Sequence, residues 1–243
     1  MIYQTRQGQV SSGEAIGILL LDTSVPFIPG DVANATTYCF PVRYRKVEGF
    51  TVARALGKDP SVFDNLLEAA WDLRSQGVRA ITGDCGFMAV HQKKLADAVE
   101  LPVFLSSLLQ LPFILNIVAS TAKVGVITAD SHSLDESLLQ EVGGAPLARL
   151  VIRGLQDRKH FYEFGIAETG ILDAEKVEAE VLTTAQQMIA AHPEIGAVLL
   201  ECSLLPPYAA AVQQALGLPV FDYITMINYV FSAVVKRRFE GFI

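Results

Sequence analysis

Two cysteines stand in closely similar surroundings: Cys85 within "GDCGF" and Cys202 within "LECSLL". Each follows an apolar run, has an acid before it (Asp84 or Glu201) and precedes a helical pattern. A thiol at the start of a helix faces unpaired N–H groups and the positive end of the helix dipole, which favour the thiolate. Two such thiols brought to one cleft from opposite sides have the geometry to remove a proton from one face of a carbon and return one to the other. Cys39 has no counterpart and reads as packing. His91, His132, His160 and His192 lack metal-ligand spacing and read as surface or cap residues.

The elements that hold these cysteines form a repeat. Apolar runs at 15–22, 78–83 and 101–104 alternate with helical patterns near 60–76 and 88–99. The second half repeats this with strands at 122–131, 195–201 and 218–221, and helices near 132–142, 173–192 and 206–216. Strands alternating with helical crossovers indicate parallel sheets, the α/β class. A shift of 117 lays "AITGDCGFMAVHQKKLADAVELPVF" over "AVLLECSLLPPYAAAVQQALGLPVF" without a gap, Cys85 on Cys202 and LPVF on LPVF. A shift of 108 lays "IGILLLDTS" over "VGVITADSH", Asp22 on Asp130. A period this long is not that of a solenoid. It describes two pseudo-symmetric, Rossmann-like parallel-sheet lobes from an internal duplication, with the active site at the lobe interface. The first lobe is expected over 1–108 plus 225–243, the second over 109–224, and the last segment should pack back on the first lobe.

The motifs "GDCGFM" and "LLECSLLPPY", the strand ending "LLLDTS" and the duplication resemble the aspartate/glutamate racemase superfamily, over nearly the whole chain. This cofactor-independent group includes hydantoin racemases, arylmalonate decarboxylases and maleate isomerases. The resemblance implies an isomerase without cofactor or metal, a racemase or epimerase of an amino acid or related carboxylate. Cys85 and Cys202 would be its two bases. Carboxylate binding would fall to Gly86, which permits close approach, to Phe87 beside it, and to Ser203. Asp22 and Thr23 match the family's acid and hydroxyl after the first strand. The loop 22–40, rich in Pro, Gly, Asn and Thr, is a binding loop by its length, with Asn34 and Thr36 as its best candidates. Strand alternation turns Asp84 and Glu201 away from the cleft-facing cysteines, which gives them structural hydrogen bonds. Asp130 reads as the cap of the helix near 132–142. The histidine that the family often carries just after the second cysteine is missing from Ser203-Leu204-Leu205-Pro206.

Other classes fare worse. A maleate isomerase or arylmalonate decarboxylase is the nearest alternative. A cysteine hydrolase needs a histidine partner that the spacing does not supply. A two-lobed carboxylate-binding protein usually comes with export, and no signal is visible. No G-x-G-x-x-G follows the first strand, against a nicotinamide enzyme. A net charge of −7, from 19 basic and 26 acidic residues, opposes a nucleic-acid partner. The longest apolar runs, 104–120 and 223–235, are interrupted or too short to span a membrane. The expectation is a cytoplasmic protein acting on a small-molecule carboxylate, which leaves a homo-oligomer open.

Overall fold

A computed structural model describes residues 2, 4 and 7–243. Two four-stranded, all-parallel sheets carry the molecule. The first consists of β1 (Ile16–Leu20), β2 (Val42–Lys46), β3 (Ala80–Gly83) and β4 (Val103–Phe104). The second consists of β5 (Lys123–Thr128), β6 (Leu150–Gly154), β7 (Ile195–Leu200) and β8 (Val220–Phe221). Their strand orders are β2-β1-β3-β4 and β6-β5-β7-β8, one topology drawn twice. The α/β class and the duplicated sheet are as the alternation of apolar runs and helices indicates.

The central strands β1, β3, β5 and β7 are almost wholly buried, as parallel strands covered on both faces must be. The outer strand β2 is half-exposed and escapes a reading of apolar runs because "VRYRK" has none, and β6, "LVIRG", buries only Leu150 and Val151. Helix Phe63–Ser75 covers one face of the first sheet with Phe63, Leu66, Ala69, Ala70 and Leu73, spaced at three and four residues as an amphipathic stripe requires. Each buried Leu or Phe in that stripe contributes roughly 1.5–3 kcal/mol. Helix Ala174–Ala191 serves the second sheet in the same way with Val177, Val181, Ala185 and Met188.

Alternation along β1 sends Leu19 into a large core that runs through both lobes, and Ile16 and Ile18 into a separate cluster on the other face. That second cluster is closed by Tyr223, Met226 and Ile227 of helix Tyr223–Val234. The Tyr223 hydroxyl donates to the Leu105 carbonyl at 2.8 Å, and Arg79 donates to the Val234 carbonyl at 2.9 Å. The chain's last helix thus lies on the first sheet.

Three local expectations are corrected. The helix near 132–142 is shorter, Glu136–Glu141, and Asp135, not Asp130, caps it by accepting from the Leu138 N–H. Asp130 instead closes a turn onto the His132 N–H and the Ser133 hydroxyl. Cys39 is exposed rather than packed. His91 is buried between Phe50 and Phe63 rather than on the surface, and burial brings its imidazole down to about 4. No helix among the described residues is long and apolar enough to cross a membrane.

Candidate active site

In each sheet the strand order reverses beside the first strand, since the chain leaves β1 for β2 on one side and returns as β3 on the other. Ligands of open parallel sheets bind outside the carboxyl ends at such a point. The residues found there are Leu21 and Thr23 after β1, Asp84 and Cys85 after β3, Ala129 after β5, and Glu201 and Cys202 after β7. All of them line one cavity of about 40 Å³ between the lobes. Val25 and Phe27 from the loop after β1, and Gly165 and Ile166 from a π-helical turn at Tyr162–Ile166, complete its wall.

Of the residues expected at the site, Cys85, Cys202, Thr23, Gly86, Phe87 and Ser203 line this cavity, and Asp22, Asn34 and Thr36 are not among its lining. Asp22 turns outward, where it accepts from the Gly49 N–H at 3.0 Å and pairs with Lys46 at 3.1 Å. Those contacts hold its carboxyl below the usual range. Asn34 caps the short turn Ala35–Thr37 and donates to the Phe27 carbonyl at 2.9 Å, while the Thr36 hydroxyl donates back to Asn34. These two shape the binding loop from within.

The two sulfurs are held differently. Cys85 is half-buried and lies over a 3₁₀ turn, Gly86–His91, whose Phe87 and Met88 N–H groups point to its sulfur. Cys202 is buried and takes one such bond, from the Leu204 N–H. Burial pushes both thiols above their ordinary value, and Glu201, the next largest influence on each, pushes the same way. Both shifts favour the neutral thiol.

Both acids beside them line the cavity, and Glu201 crosses the lobe boundary, which strand alternation alone does not reveal. Asp84 accepts from the Leu21 N–H at 2.9 Å, and burial raises it to about 7. Glu201 accepts from the Thr128 hydroxyl at 2.8 Å through Oε2, and burial raises it to about 7 also. Its other oxygen, Oε1, is buried without a hydrogen-bond partner and lies against Gly86, where an added Cβ would overlap it. The close approach that Gly86 permits is thus made by the protein's own carboxylate. In the opposite direction the Ser203 hydroxyl donates to the Asp84 carbonyl.

Asp31, from the binding loop, is a third buried acid, raised by burial to about 8 and within electrostatic reach of Asp84 and Cys202. The signal for it was the "PGDV" turn. Among the described residues, no lysine, arginine or histidine lines the cavity. At its mouth the Thr23 hydroxyl and Ser24 N–H donate to Glu168, which joins the two lobes there. Among the described residues no three His, Cys, Asp or Glu are grouped so as to hold a metal ion.

Comparison with known proteins decides the family. The chain is 34% identical over 230 residues to a dimethylsulfoniopropionate lyase of Durusdinium sp. clade D, which covers 92% of this chain and 76% of that protein. The chain belongs to the family of dimethylsulfoniopropionate lyases. Dimethylsulfoniopropionate lyase 3 of Emiliania huxleyi (strain CCMP1516) is also 34% identical, over 94% of this chain, which spans 62% of that relative's length. No family model matches the chain.

Among solved structures, unliganded arylmalonate decarboxylase superposes with a TM-score of 0.61 at 17% identity, over 91% of this chain and 92% of that one. Allantoin racemase from Pseudomonas fluorescens superposes with a TM-score of 0.59 at 14% identity, over 94% and 99%. The fold is accordingly that of the aspartate/glutamate racemase superfamily.

The isomerase expectation is overturned by the family, whose members are named as lyases. Its error has a chemical cause. Thiols at matched strand ends speak for proton removal from carbon, whereas the fate of the resulting carbanion depends on what else the substrate carries.

Proposed function

We propose that this chain cleaves dimethylsulfoniopropionate by β-elimination in the cavity between its lobes. The observation that carries the reading is the charge of that cavity: buried carboxyls at Asp84 and Glu201, Asp31 close by, and, among the described residues, no cationic side chain in the lining. A simple carboxylate would meet like charge in such a place. A zwitterion with a sulfonium group brings the missing positive charge, and the Phe27 and Phe87 rings offer faces that favour a cation.

The chemistry then follows from the substrate. A cysteine thiolate removes the proton α to the carboxylate, the released electron pair forms the C=C bond, and the C–S bond breaks. Dimethyl sulfide leaves as a neutral molecule and acrylate remains, so no acid is needed at the leaving group. The sulfonium has a second effect before the reaction. A positive charge beside a buried thiol favours its ionised form, so the substrate lowers the barrier to making its own base. Only one proton has to move from carbon. The two cysteines are therefore unequal partners in this reading, unlike those of a two-base racemase.

The net charge and the free thiols of Cys39, Cys85 and Cys202 support a small-molecule enzyme of a reducing compartment, the cytoplasm, without nucleic-acid or membrane partners. The test is direct. Purified protein with dimethylsulfoniopropionate should release dimethyl sulfide and acrylate in equal amounts, and 3-(methylthio)propanoate, which lacks the sulfonium, should be left intact. Absence of both products from the sulfonium substrate would overturn the reading.

A further inference from the structure

Making a thiolate in a buried place requires an acceptor for the thiol proton, and the histidine that related enzymes place after the second cysteine is absent here. The cavity wall narrows the choice of replacement. Its side-chain hydroxyls are engaged, Thr23 with Glu168 and Ser203 with the Asp84 carbonyl. Asp84 uses Oδ1 to accept from the Leu21 N–H. Glu201 alone in this wall has a fully buried side-chain oxygen without a hydrogen-bond partner, and that oxygen lies against Gly86, the residue directly after Cys85. The other oxygen of the same carboxyl is anchored by Thr128, which fixes the direction in which Oε1 points.

We propose that Glu201 is the positioning residue of the cysteine pair, taking the proton from a thiol across the lobe boundary and so making the thiolate by internal transfer. In that step an S–H bond breaks and an O–H bond forms on the carboxylate. The total charge of the cavity does not change, so a buried site can carry it out without importing an ion. The α proton then passes to sulfur during elimination, and the acid gives its own proton to water when products leave.

The titratable groups within electrostatic reach of Glu201 are Cys85 at the end of β3, its neighbour Cys202, and Tyr223 of the last helix. Tyr223 is occupied with the Leu105 carbonyl, and Asp31 and Asp84 act on each other. Burial raises the Glu201 carboxyl to about 7, which makes it a stronger proton acceptor than an ordinary glutamate, while the thiols, raised further, need the positive charge of the substrate before they give up a proton.

The proposal has a signature in which two readouts move in opposite directions. With Cys39→Ser as background, alkylation of Cys85 and Cys202 by iodoacetamide is followed against pH with site-resolved mass spectrometry. Glu201→Gln removes the negative charge beside both sulfurs, so the alkylation midpoint of at least one thiol should fall by a unit or more. The same variant should lose lyase activity by about 100-fold or more, together with the acid limb of its pH profile near 7. Thr128→Val provides an independent reading in a variant that keeps the carboxyl. Loss of the hydrogen bond that favours the carboxylate should shift that acid limb to higher pH.

Unchanged alkylation midpoints in Glu201→Gln, or an unmoved acid limb in Thr128→Val, would overturn the proposal. The activity readouts rest on the lyase reading given above, whereas the alkylation readout needs no substrate. The two ideas can therefore fail separately.

Discussion

The two lobes present the same sequence of parts at the cavity and use them differently. In both, an acid at the strand end accepts a hydrogen bond from the neighbouring strand or its end, Asp84 from the Leu21 N–H and Glu201 from the Thr128 hydroxyl. In both, a cysteine follows and receives main-chain N–H groups from the next turn. The lobes diverge one atom further out. Glutamate is longer than aspartate by one methylene, and Glu201 spans the boundary to lie over Gly86 of the first lobe. Ser203, in the place of Gly86, sends its hydroxyl back to the Asp84 carbonyl. Cys85 has partial access to the cavity, and Cys202 is buried. Duplication delivered two thiols, and these small differences make one pair of surroundings unlike the other. Such asymmetry suits a reaction that takes one proton from carbon and does not put it back.

The strongest way to break that comparison is to remove the sulfurs. The double variant Cys85→Ala/Cys202→Ala should lose turnover by about 10³-fold or more, the scale of losing a general base. The two single variants should differ from each other by at least about tenfold, measured as kcat/KM under identical conditions. Equal losses would point back to a symmetric pair. Next comes Gly86→Ala, because its new methyl group meets the Glu201 carboxyl. It should lower stability by roughly 1–3 kcal/mol, as overpacking does, and lower turnover with it. Thermal melts and kinetics on the same preparation separate the two effects.

A smaller effect concerns pH. Asp31, Asp84 and Glu201 have folded-state values raised to about 8, 7 and 7, so the native protein holds protons that the unfolded chain has given up. Their contribution to stability is complete below about 4 and is lost as pH rises through 7 to 8. The melting temperature should accordingly fall between pH 5.5 and pH 8.5, and Glu201→Gln should flatten that fall. Smallest of all, Asp22→Asn should leave kcat/KM within about twofold, since its half-exposed pair with Lys46 is a solvent-screened surface contact outside the cavity lining. A tenfold loss there would place Asp22 at the substrate after all.

Much of this arrangement is legible in the sequence, and the reasons for the rest are physical. The buried strands β1, β3, β5 and β7 announce themselves because burial on both faces demands continuous apolar runs. With them come the cysteines at their ends. The outer strand β2 leaves no such trace, since "VRYRK" is half in solvent, and β6 offers only the short run "LVI". Thr23 and Ser203 were visible as neighbours of motif positions. Asn34 and Thr36 drew attention because their loop is long, but small polar residues in a loop serve its own turns as readily as a ligand.

Glu201 shows the limit of alternation as an argument. Adjacent residues on a strand do point to opposite sides, and from one wall that removes Glu201 from the site. The cavity here has two walls, and a side chain that turns away from one sulfur enters the neighbourhood of the other lobe. The carboxyls also change what the site invites. Counted along the chain they look like ordinary acids, and only when Asp31, Asp84 and Glu201 are buried around one small cavity do they make a place fit for a cation.

The central claim is that a proton removed from carbon in this cavity is not returned to it. Proton NMR of dimethylsulfoniopropionate turnover in deuterium oxide tests it in a single trace. The expected result is acrylate appearing at the rate at which substrate disappears, with dimethyl sulfide beside it. Substrate that gains deuterium at its α carbon while no acrylate forms would contradict the account.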